Sequence, residues 1–162
     1  MSVERPKTIL IVEDDILSAS TLCGALEEYG YIPLLARSGQ EALCLAGSIK
    51  TPDLFLIDMQ LGANHSGIDG IDTARILQSE HQVPVVFLSE HLEKGILDRM
   101  DLVDSYGCLA RRASGPELAA SIAIAFQRKS AERKAREDGL RKILAAMPDI
   151  ISINYPEAVY SL

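Results

Sequence analysis

Carboxylates follow two short apolar runs of the chain, and a hydroxyl and a guanidinium follow two later ones. Glu13 and Asp14 come directly after one run, Asp58 ends another, and Ser89 and Arg111 stand at the ends of the later two. Acids that crowd together repel one another unless a cation neutralises them, and Mg²⁺ (magnesium) is the hard divalent ion that prefers oxygen ligands. A metal that keeps some of its waters can clamp phosphate oxygens while a carboxylate attacks phosphorus. If these side chains meet, the set predicts a site that takes up a phosphoryl group.

The two remaining groups suit the same chemistry. Ser89 can donate a hydrogen bond to an arriving phosphoryl oxygen, and Arg111 can pair with its charge. Asp15, the third acid in its run, is instead expected to cap the helix that follows it. The competing interpretation, a plain acidic surface, is disfavoured because the acids stand at the ends of two apolar runs rather than being scattered.

Five short apolar runs have the length and composition of buried strands. They alternate with amphipathic stretches, which favours an α/β fold with a five-stranded parallel sheet in the flavodoxin-like order 2-1-3-4-5. Pro33 in the second run suits an edge strand, where a missing N–H costs little. Functional groups in such a sheet collect at the carboxyl ends of the strands, which is where the acids fall. The predicted strands are Thr8–Val12, Tyr31–Ala36, Leu54–Ile57, Val83–Leu88 and Ser105–Ala110.

Five amphipathic stretches predict the helices between and after the strands. The spacings Ser38 to Glu41 and Ser114 to Glu117 are those of capping boxes and mark two helix starts. Gly30 is expected to end the first helix. The second helix is predicted to run from Ser38 and to fade at Gly47. The apolar stripes of the other four are Ala19, Leu22, Leu26 and Tyr29; Ile71, Ala74 and Leu77; Leu92, Ile96 and Met100; and Leu118, Ile122 and Phe126.

The last helix is predicted to continue well beyond the sheet. Residues 127–142 hold seven Lys or Arg against three Asp or Glu, whereas residues 1–126 hold nine against eighteen. We therefore predict a domain over 1–126, a helical linker over 127–147, and the partial start of a following domain, or a disordered tail, over 148–162. A narrow apolar stripe on the linker predicts a homodimer, because an exposed helix of this length usually buries its stripe against a second copy. The stripe consists of Leu140, Ile143, Leu144 and Met147.

Composition excludes several classes of protein. No apolar run is long enough to span a bilayer, and the first residues do not resemble a signal peptide. The three cysteines, Cys23, Cys44 and Cys108, have no metal-ligand spacing and are expected to be small buried residues in a reducing, cytoplasmic compartment. The basic stretch has no aromatic residues and no groove-reading motif, so we expect no nucleic-acid contact from it.

Five segments, in order, resemble the landmarks of two-component response-regulator receiver domains, over about residues 6 to 126. The first is Ile9–Asp15, the second Pro52–Asp58, and the third Asp69-Gly70-Ile71. The fourth is Val83–Ser89 and the fifth Gly107–Arg111. Five motifs in register are far more specific than any one of them.

The resemblance implies a role for each of these residues. Asp58 would accept the phosphoryl group from a sensor histidine kinase or phosphotransfer protein. Asp14 would bind Mg²⁺ directly and Glu13 mostly through water, with Asp58 and the backbone carbonyl of Gln60 completing the protein ligands. Ser89 would be the switch hydroxyl. The family acts as a signalling module rather than an enzyme, although it can catalyse its own phosphorylation and slow dephosphorylation.

Four residues and one loop depart from the family pattern. Arg111 replaces the usual lysine and is followed by Arg112 in place of proline, Cys108 replaces the switch aromatic residue, and Glu90 replaces a small residue. The loop between Asp58 and Asp69-Gly70 is also longer than usual. The alternative function is therefore a degenerate receiver that serves as a phosphorylation-independent dimerisation or docking module.

Two other classes with a similar fold fit less well. An aspartyl-phosphate hydrolase of the haloacid-dehalogenase kind needs a second Asp two positions after its nucleophile, and this chain has Gln60 there. A flavodoxin needs a Ser/Thr/Gly-rich phosphate loop after its first strand, where this chain has three acids. The segment Leu140–Ile151 resembles the lead-in to a PAS sensor domain.

Overall fold

The sheet is built from alternating strands and helices, as a computed structural model of the chain shows. It describes residues 4–48, 51–62, 67–90, 98–99 and 103–147. In chain order the elements are β1 Thr8–Val12, α1 Ile16–Glu28, β2 Ile32–Ala36, α2 Gly39–Ser48, β3 Leu54–Asp58, α3 Gly70–Glu80, β4 Val85–Ser89, β5 Ser105–Ala110 and α4 Gly115–Ala145. The helix predicted around Leu92, Ile96 and Met100 has those residues outside the described ranges.

All neighbouring strands run parallel, in the order β2-β1-β3-β4-β5. This confirms the predicted flavodoxin-like topology. β2 lies at an edge of the sheet with Pro33 opposite Ile9, so the missing N–H of the proline faces away from the neighbouring strand, as expected. β1 and β3 lie side by side in the middle, which brings their carboxyl ends together.

Side chains that alternate along the central strands form two apolar cores, one on each face of the sheet. Leu10, Phe55 and Phe87 pack with α2 and α3 on one face. Ile9, Leu56 and Val86 do not share that core; with Leu26 and Ile122 they form the core beneath α1 and α4 on the other face. The wholly apolar strands of the sequence are thus explained by burial on both faces.

The helix ends follow the predicted signals. Asp15 caps α1 by accepting hydrogen bonds from the N–H (3.1 Å) and the hydroxyl (2.7 Å) of Ser18. The Ser38 hydroxyl accepts from the N–H of Glu41 at 3.1 Å, and the Ser114 hydroxyl from that of Glu117 at 3.3 Å.

The cysteine prediction was wrong for two of the three residues. Cys44 and Cys108 are exposed, and Cys23 is partly buried. Cys44 lies on α2 midway between the buried Ala42 and Ala46, and therefore points away from the sheet. Cys108 lies on the edge strand β5, which has only one neighbouring strand.

One aromatic position also differs from expectation. Tyr29 was placed on the buried stripe of α1 but is the exposed residue that caps its C-terminus. The positive φ of Gly30 (83°) ends this helix as predicted. His81 is half-buried, with its ring edge-on to Phe55.

Contacts along the chain separate residues 1–126 from residues 127–162. In the second unit the described residues continue α4 and end at Met147. Within the described ranges, no helix is both long enough and apolar enough to cross a membrane.

Candidate functional site

The acidic site lies where β1 and β3 end, and parallel pairing of these strands sets Val12 opposite Ile57. The residues that follow, Glu13 and Asp58, are both buried, because each continues a strand that is covered on both faces. Asp14 is half-buried beside them. One carboxylate oxygen from each of the three acids lies within 4.8 Å of the others. The acids that the sequence predicted to meet are therefore together.

Backbone N–H groups orient the two buried carboxylates. The N–H of Asp15 donates to Glu13 Oε1 at 3.0 Å, and the N–H of Gln60 donates to Asp58 Oδ1 at 3.0 Å. Each donor lies two residues after its acceptor, so the loops that leave β1 and β3 hold the carboxylates themselves. The side chains are thus prearranged before any ligand arrives.

Gly70 allows the third helix to start directly against this site. A Cβ at this position would collide with the backbone carbonyl oxygen of Asp58. The preceding residue, Asp69, caps α3 by accepting from the N–H of Asp72 at 2.9 Å, and it also pairs with Arg99 at 2.7 Å. The Asp69-Gly70 motif thereby fixes the loop end that faces Asp58.

Arg111 follows β5, the strand that pairs with β4, and brings a positive charge into the acidic cluster. Its backbone N–H donates to the carbonyl of Ser89 at 3.1 Å, which sets the residue at the carboxyl end of the sheet. Its Nη2 lies 2.8 Å from Glu13 Oε1 and 3.7 Å from Asp58 Oδ2, and its Nη1 lies 3.7 Å from Glu90 Oε1. The closest partner of Arg111 is therefore Glu13 rather than Asp58.

Burial and charge change the protonation of the site. Burial raises the pKa of Glu13 to about 7, because a charged carboxylate is costly away from water and Asp58 lies nearby. Burial likewise raises the pKa of Asp58, which the N–H of Gln60 and the charge of Arg111 lower only in part. Burial alone would lower the pKa of Arg111, but Asp58 and Glu13 raise it on balance.

The cluster fits a hard divalent cation. Arg111 pairs with two of the three carboxylates, Glu13 and Asp58, and Glu13 Oε2 is buried without a hydrogen-bond partner among the described residues. A buried oxygen without a partner is unfavourable, and a cation or a water bound to that cation would satisfy it. Oxygen ligands are those that Mg²⁺ prefers.

Ser89 ends β4 beside this cluster and is 4% exposed. It lines a surface cavity of about 320 Å³ together with Glu90, Ala110, Arg111 and Arg112. A hydroxyl and a guanidinium therefore border the same opening, as the sequence predicted. Arg112 is exposed at the rim.

Two features of the site were missed by sequence reasoning. Glu90 was considered only as a departure from the family pattern, whereas it forms an ion pair with Arg111. A second cavity of about 400 Å³ is bordered by Asp14, the start of α2 and the loop after β3. There the Arg37 guanidinium donates to the backbone carbonyl of Asp14 at 3.3 Å. In the sequence, the basic residue Arg37 directly after β2 was the signal that could have indicated this second cavity.

Comparisons with known proteins point to one family. Residues 9–123 match the family described as the response regulator receiver domain. The transcriptional regulatory protein PdtaR of Mycobacterium tuberculosis is 32% identical over 124 residues, which are 76% of this chain and 58% of that protein. The chain thus spans little more than half the length of this relative.

Solved structures agree with this match. The N-terminal domain of a response regulator/sensory box/GGDEF three-domain protein from Carboxydothermus hydrogenoformans is 35% identical, with a TM-score of 0.71 over 78% of this chain and 98% of that one. The signal receiver domain of a modulated diguanylate cyclase from Desulfovibrio desulfuricans is 32% identical, with a TM-score of 0.72 over 79% of this chain and 99% of that one.

Proposed function

The chain belongs to the response regulator receiver family, whose members are signalling modules of two-component systems, and we propose that Asp58 is its phosphoryl acceptor. The observation that carries this assignment is the buried Asp58 carboxylate at the end of β3, held by the N–H of Gln60 with Glu13, Asp14 and Arg111 around it. The donor we propose is a histidine kinase or a phosphotransfer protein.

The transfer itself follows from the chemistry of the groups. An oxygen of Asp58 attacks phosphorus, the bond between phosphorus and the donor's imidazole nitrogen breaks, and the imidazole leaves with the bonding electron pair and takes up a proton. Arg111 and the Ser89 hydroxyl would hold the phosphoryl oxygens as charge moves towards the acceptor. Asp58 must be ionised to attack, and its raised pKa makes a neighbouring cation useful.

We propose that Glu13, Asp14, Asp58 and the backbone carbonyl of Gln60 hold Mg²⁺, with Asp14 a direct ligand and Glu13 acting mostly through water. When bound, the ion would neutralise the charge of the acids and would orient the phosphoryl group for attack by Asp58. Titration with Mg²⁺ or Mn²⁺ should shift the amide signals of residues around Asp58, and Asp14→Ala should abolish the shift. Asp15→Asn, which changes the neighbouring acid that lies outside the cluster, is the matched control. Unchanged signals at millimolar metal would refute the site.

Labelling with a small phosphodonor and Mg²⁺ tests the acceptor. We expect one acid-stable, hydroxylamine-labile acyl phosphate on the wild type and none on Asp58→Asn. Asp53→Asn is the matched control, because Asp53 precedes the same strand and its carboxylate accepts from the N–H of Thr8 at 2.8 Å and pairs with Arg5. An unlabelled wild type beside a labelled known receiver would overturn the assignment.

The degenerate-receiver alternative is not favoured. Its basis was the replacement of lysine by Arg111, of the switch aromatic by Cys108, and of a small residue by Glu90. Arg111 nevertheless reaches both Glu13 and Asp58, so a positive charge is present where phosphoryl oxygens would arrive. Cys108 bears on how a signal leaves the site, not on the chemistry within it.

We further propose that the chain forms a homodimer through the end of α4 and works in the cytoplasm. Four apolar residues there are between 44% and 58% exposed: Leu140, Ile143, Leu144 and Met147. The PAS-like segment that starts in this stretch extends to Ile151, and its residues from Pro148 lie outside the described ranges. Its position after the receiver supports a following sensory domain, an order also named for the three-domain protein from Carboxydothermus hydrogenoformans.

A further inference from the structure

Arg111 is shared between the inner acids and one outer acid, and the two sides use different nitrogens. Nη2 faces Glu13 at 2.8 Å and Asp58 at 3.7 Å, whereas Nη1 faces Glu90 at 3.7 Å. The Arg111 side chain is 19% exposed, and those of Glu13 and Glu90 are 0% and 42% exposed. The guanidinium therefore connects the interior of the acidic site with its rim.

A forked cation suits this connection. The two terminal nitrogens of a guanidinium diverge, so each can serve a different carboxylate at the same time. A lysine ammonium concentrates its charge on one atom at the end of a flexible chain, so it is less suited to pairing with Glu13 and Glu90 together. Arg111 and Glu90 thus act as a matched pair in this chain.

The guanidinium competes with a metal for the same carboxylates. Glu13 and Asp58 are two of the three acids that lie within 4.8 Å of one another, and Arg111 already neutralises part of their charge. A divalent cation that enters must share or displace this pairing. The affinity for the metal therefore depends on which carboxylate the guanidinium pairs with once the metal has bound.

We propose that Glu90 is a positioning residue that holds the outer nitrogen of Arg111. The guanidinium can then leave Glu13 and Asp58 when a metal ion binds these acids. This inference rests on the proposed metal site. With Glu90 present, Arg111 keeps a carboxylate partner when the metal takes over Glu13 and Asp58. Without it, the guanidinium loses that partner on metal entry and competes more strongly for the inner acids. The loss of a nearby negative charge acts in the same direction, so both effects weaken metal binding.

The test is a double-mutant cycle on the dissociation constant for Mn²⁺, measured by titration of the full chain. Glu90→Gln should weaken binding by about two- to fivefold, the range of a partly exposed ion pair. In an Arg111→Lys background the same substitution should change binding by less than about half that factor, because lysine is less suited to pairing with both acids together. Glu117→Gln removes an equal charge from the first turn of α4 and should leave binding unchanged.

Each outcome separates the positioning role from the metal site itself. Equal effects of Glu90→Gln in the arginine and lysine backgrounds would leave only through-space attraction and overturn the proposal. Tighter binding in Glu90→Gln would overturn it as well. Absence of Mn²⁺ binding in the wild type would instead refute the proposed metal site, and with it this inference. In the metal-free chain, the cycle should also give a measurable coupling in unfolding midpoints, which a charge that does not touch Arg111 would not produce.

Discussion

Glu13 is fully buried, although a glutamate side chain is ordinarily ionised and exposed to solvent. Its Oε1 accepts from the N–H of Asp15 and from Arg111, and its Oε2 has no partner. These contacts do not fully offset the cost of burying the charge, so burial raises the pKa of Glu13 from 4.5 to about 7. In the metal-free chain near neutral pH, the site is therefore ready to exchange a proton for a cation.

This gives a pH dependence of stability whose direction is fixed. The folded chain binds the Glu13 proton more tightly than the unfolded chain does, so the contribution is fully present below pH 4.5 and is lost as pH rises through 7. We expect the free energy of unfolding in a chelator to fall over this window, by an amount on the order of 3 kcal/mol at most. Denaturant titrations from pH 5 to 8 would measure it. Glu13→Gln should show a smaller slope, with the remainder due to Asp58, and an unchanged slope would contradict the assignment.

Gly70 offers a steric test of how the loop is held against the acceptor. A methyl group at this position would overlap the Asp58 carbonyl, so Gly70→Ala must shift either α3 or the end of β3. We expect a loss of about 1–3 kcal/mol in the free energy of unfolding, as for other overpacked sites, together with slower phosphorylation. Gly24→Ala, in α1 with open space around it, should instead be neutral or stabilising by up to about 1 kcal/mol. Equal behaviour of the two variants in denaturant titrations would show that Gly70 has no steric role.

Sequence reasoning located the acids of the site but not their pairing. The acids end buried strands, and parallel strands bring such ends together whatever the details of packing. The partners of Arg111 depend on the register between β4 and β5, which shifts by an irregularity at Val85 and Val86. No residue pattern in the sequence predicts that register shift. The shift affects where Arg111 lies relative to Glu13 and Glu90.

At the scale of the elements, order and topology could be predicted because local signals agreed with the global fold. Apolar runs, capping spacings and Gly30 all marked boundaries that the structure places within a few residues. The solvent exposure of side chains on the outer helix faces and on the edge strands was harder to predict. Cys44 and Cys108 have the apolar character of core residues, but a position on an outward helix face or an edge strand overrides that preference.

The start of α2 illustrates an element boundary that can be tested. The Ser38 hydroxyl accepts from the N–H of Glu41, and the Glu41 carboxylate accepts in return from the N–H of Arg37 at 3.0 Å. The return bond goes one residue before Ser38, a variant of the predicted capping box. We expect Ser38→Ala to cost about 1 kcal/mol of unfolding free energy, measured by denaturant titration. Ser48→Ala at the other end of the helix is the control and should change little; equal losses would exclude a capping role.

At the scale of the whole molecule, the chain combines an acidic unit with a basic helical continuation. Residues 127–142 carry an excess of positive charge, and the apolar stripe at the end of α4 follows directly. Ile143 and Leu144 follow Leu140 by three and four residues, so these three share one side of α4, and Met147 follows two residues after the helix ends. Exposed apolar seams of this kind favour a symmetric pairing of two copies, which buries the same residues from each.

Self-association should therefore depend on the stripe and only weakly on phosphorylation. Leu140→Glu with Leu144→Glu should shift the full chain from dimer to monomer in sedimentation, as should a chain that ends at Phe126. Ala145→Glu adds the same kind of charge on another side of the helix and should leave the dimer intact. Because Cys108 replaces the family's switch aromatic, labelling of Asp58 should change the dimer dissociation constant by less than about threefold, well short of a typical allosteric coupling.

Ionic strength gives an independent check on the same seam. Lys and Arg residues of the two copies repel one another across the pairing, so added salt should screen this repulsion and strengthen the dimer. Added salt would instead weaken an interface held mainly by opposite charges. Such an interface would form if the acidic unit of one copy paired with the basic stretch of another. Sedimentation at low and high salt distinguishes the two. Equal monomeric masses for the full chain and the chain ending at Phe126, across a wide concentration range, would exclude the helix as a dimer seam.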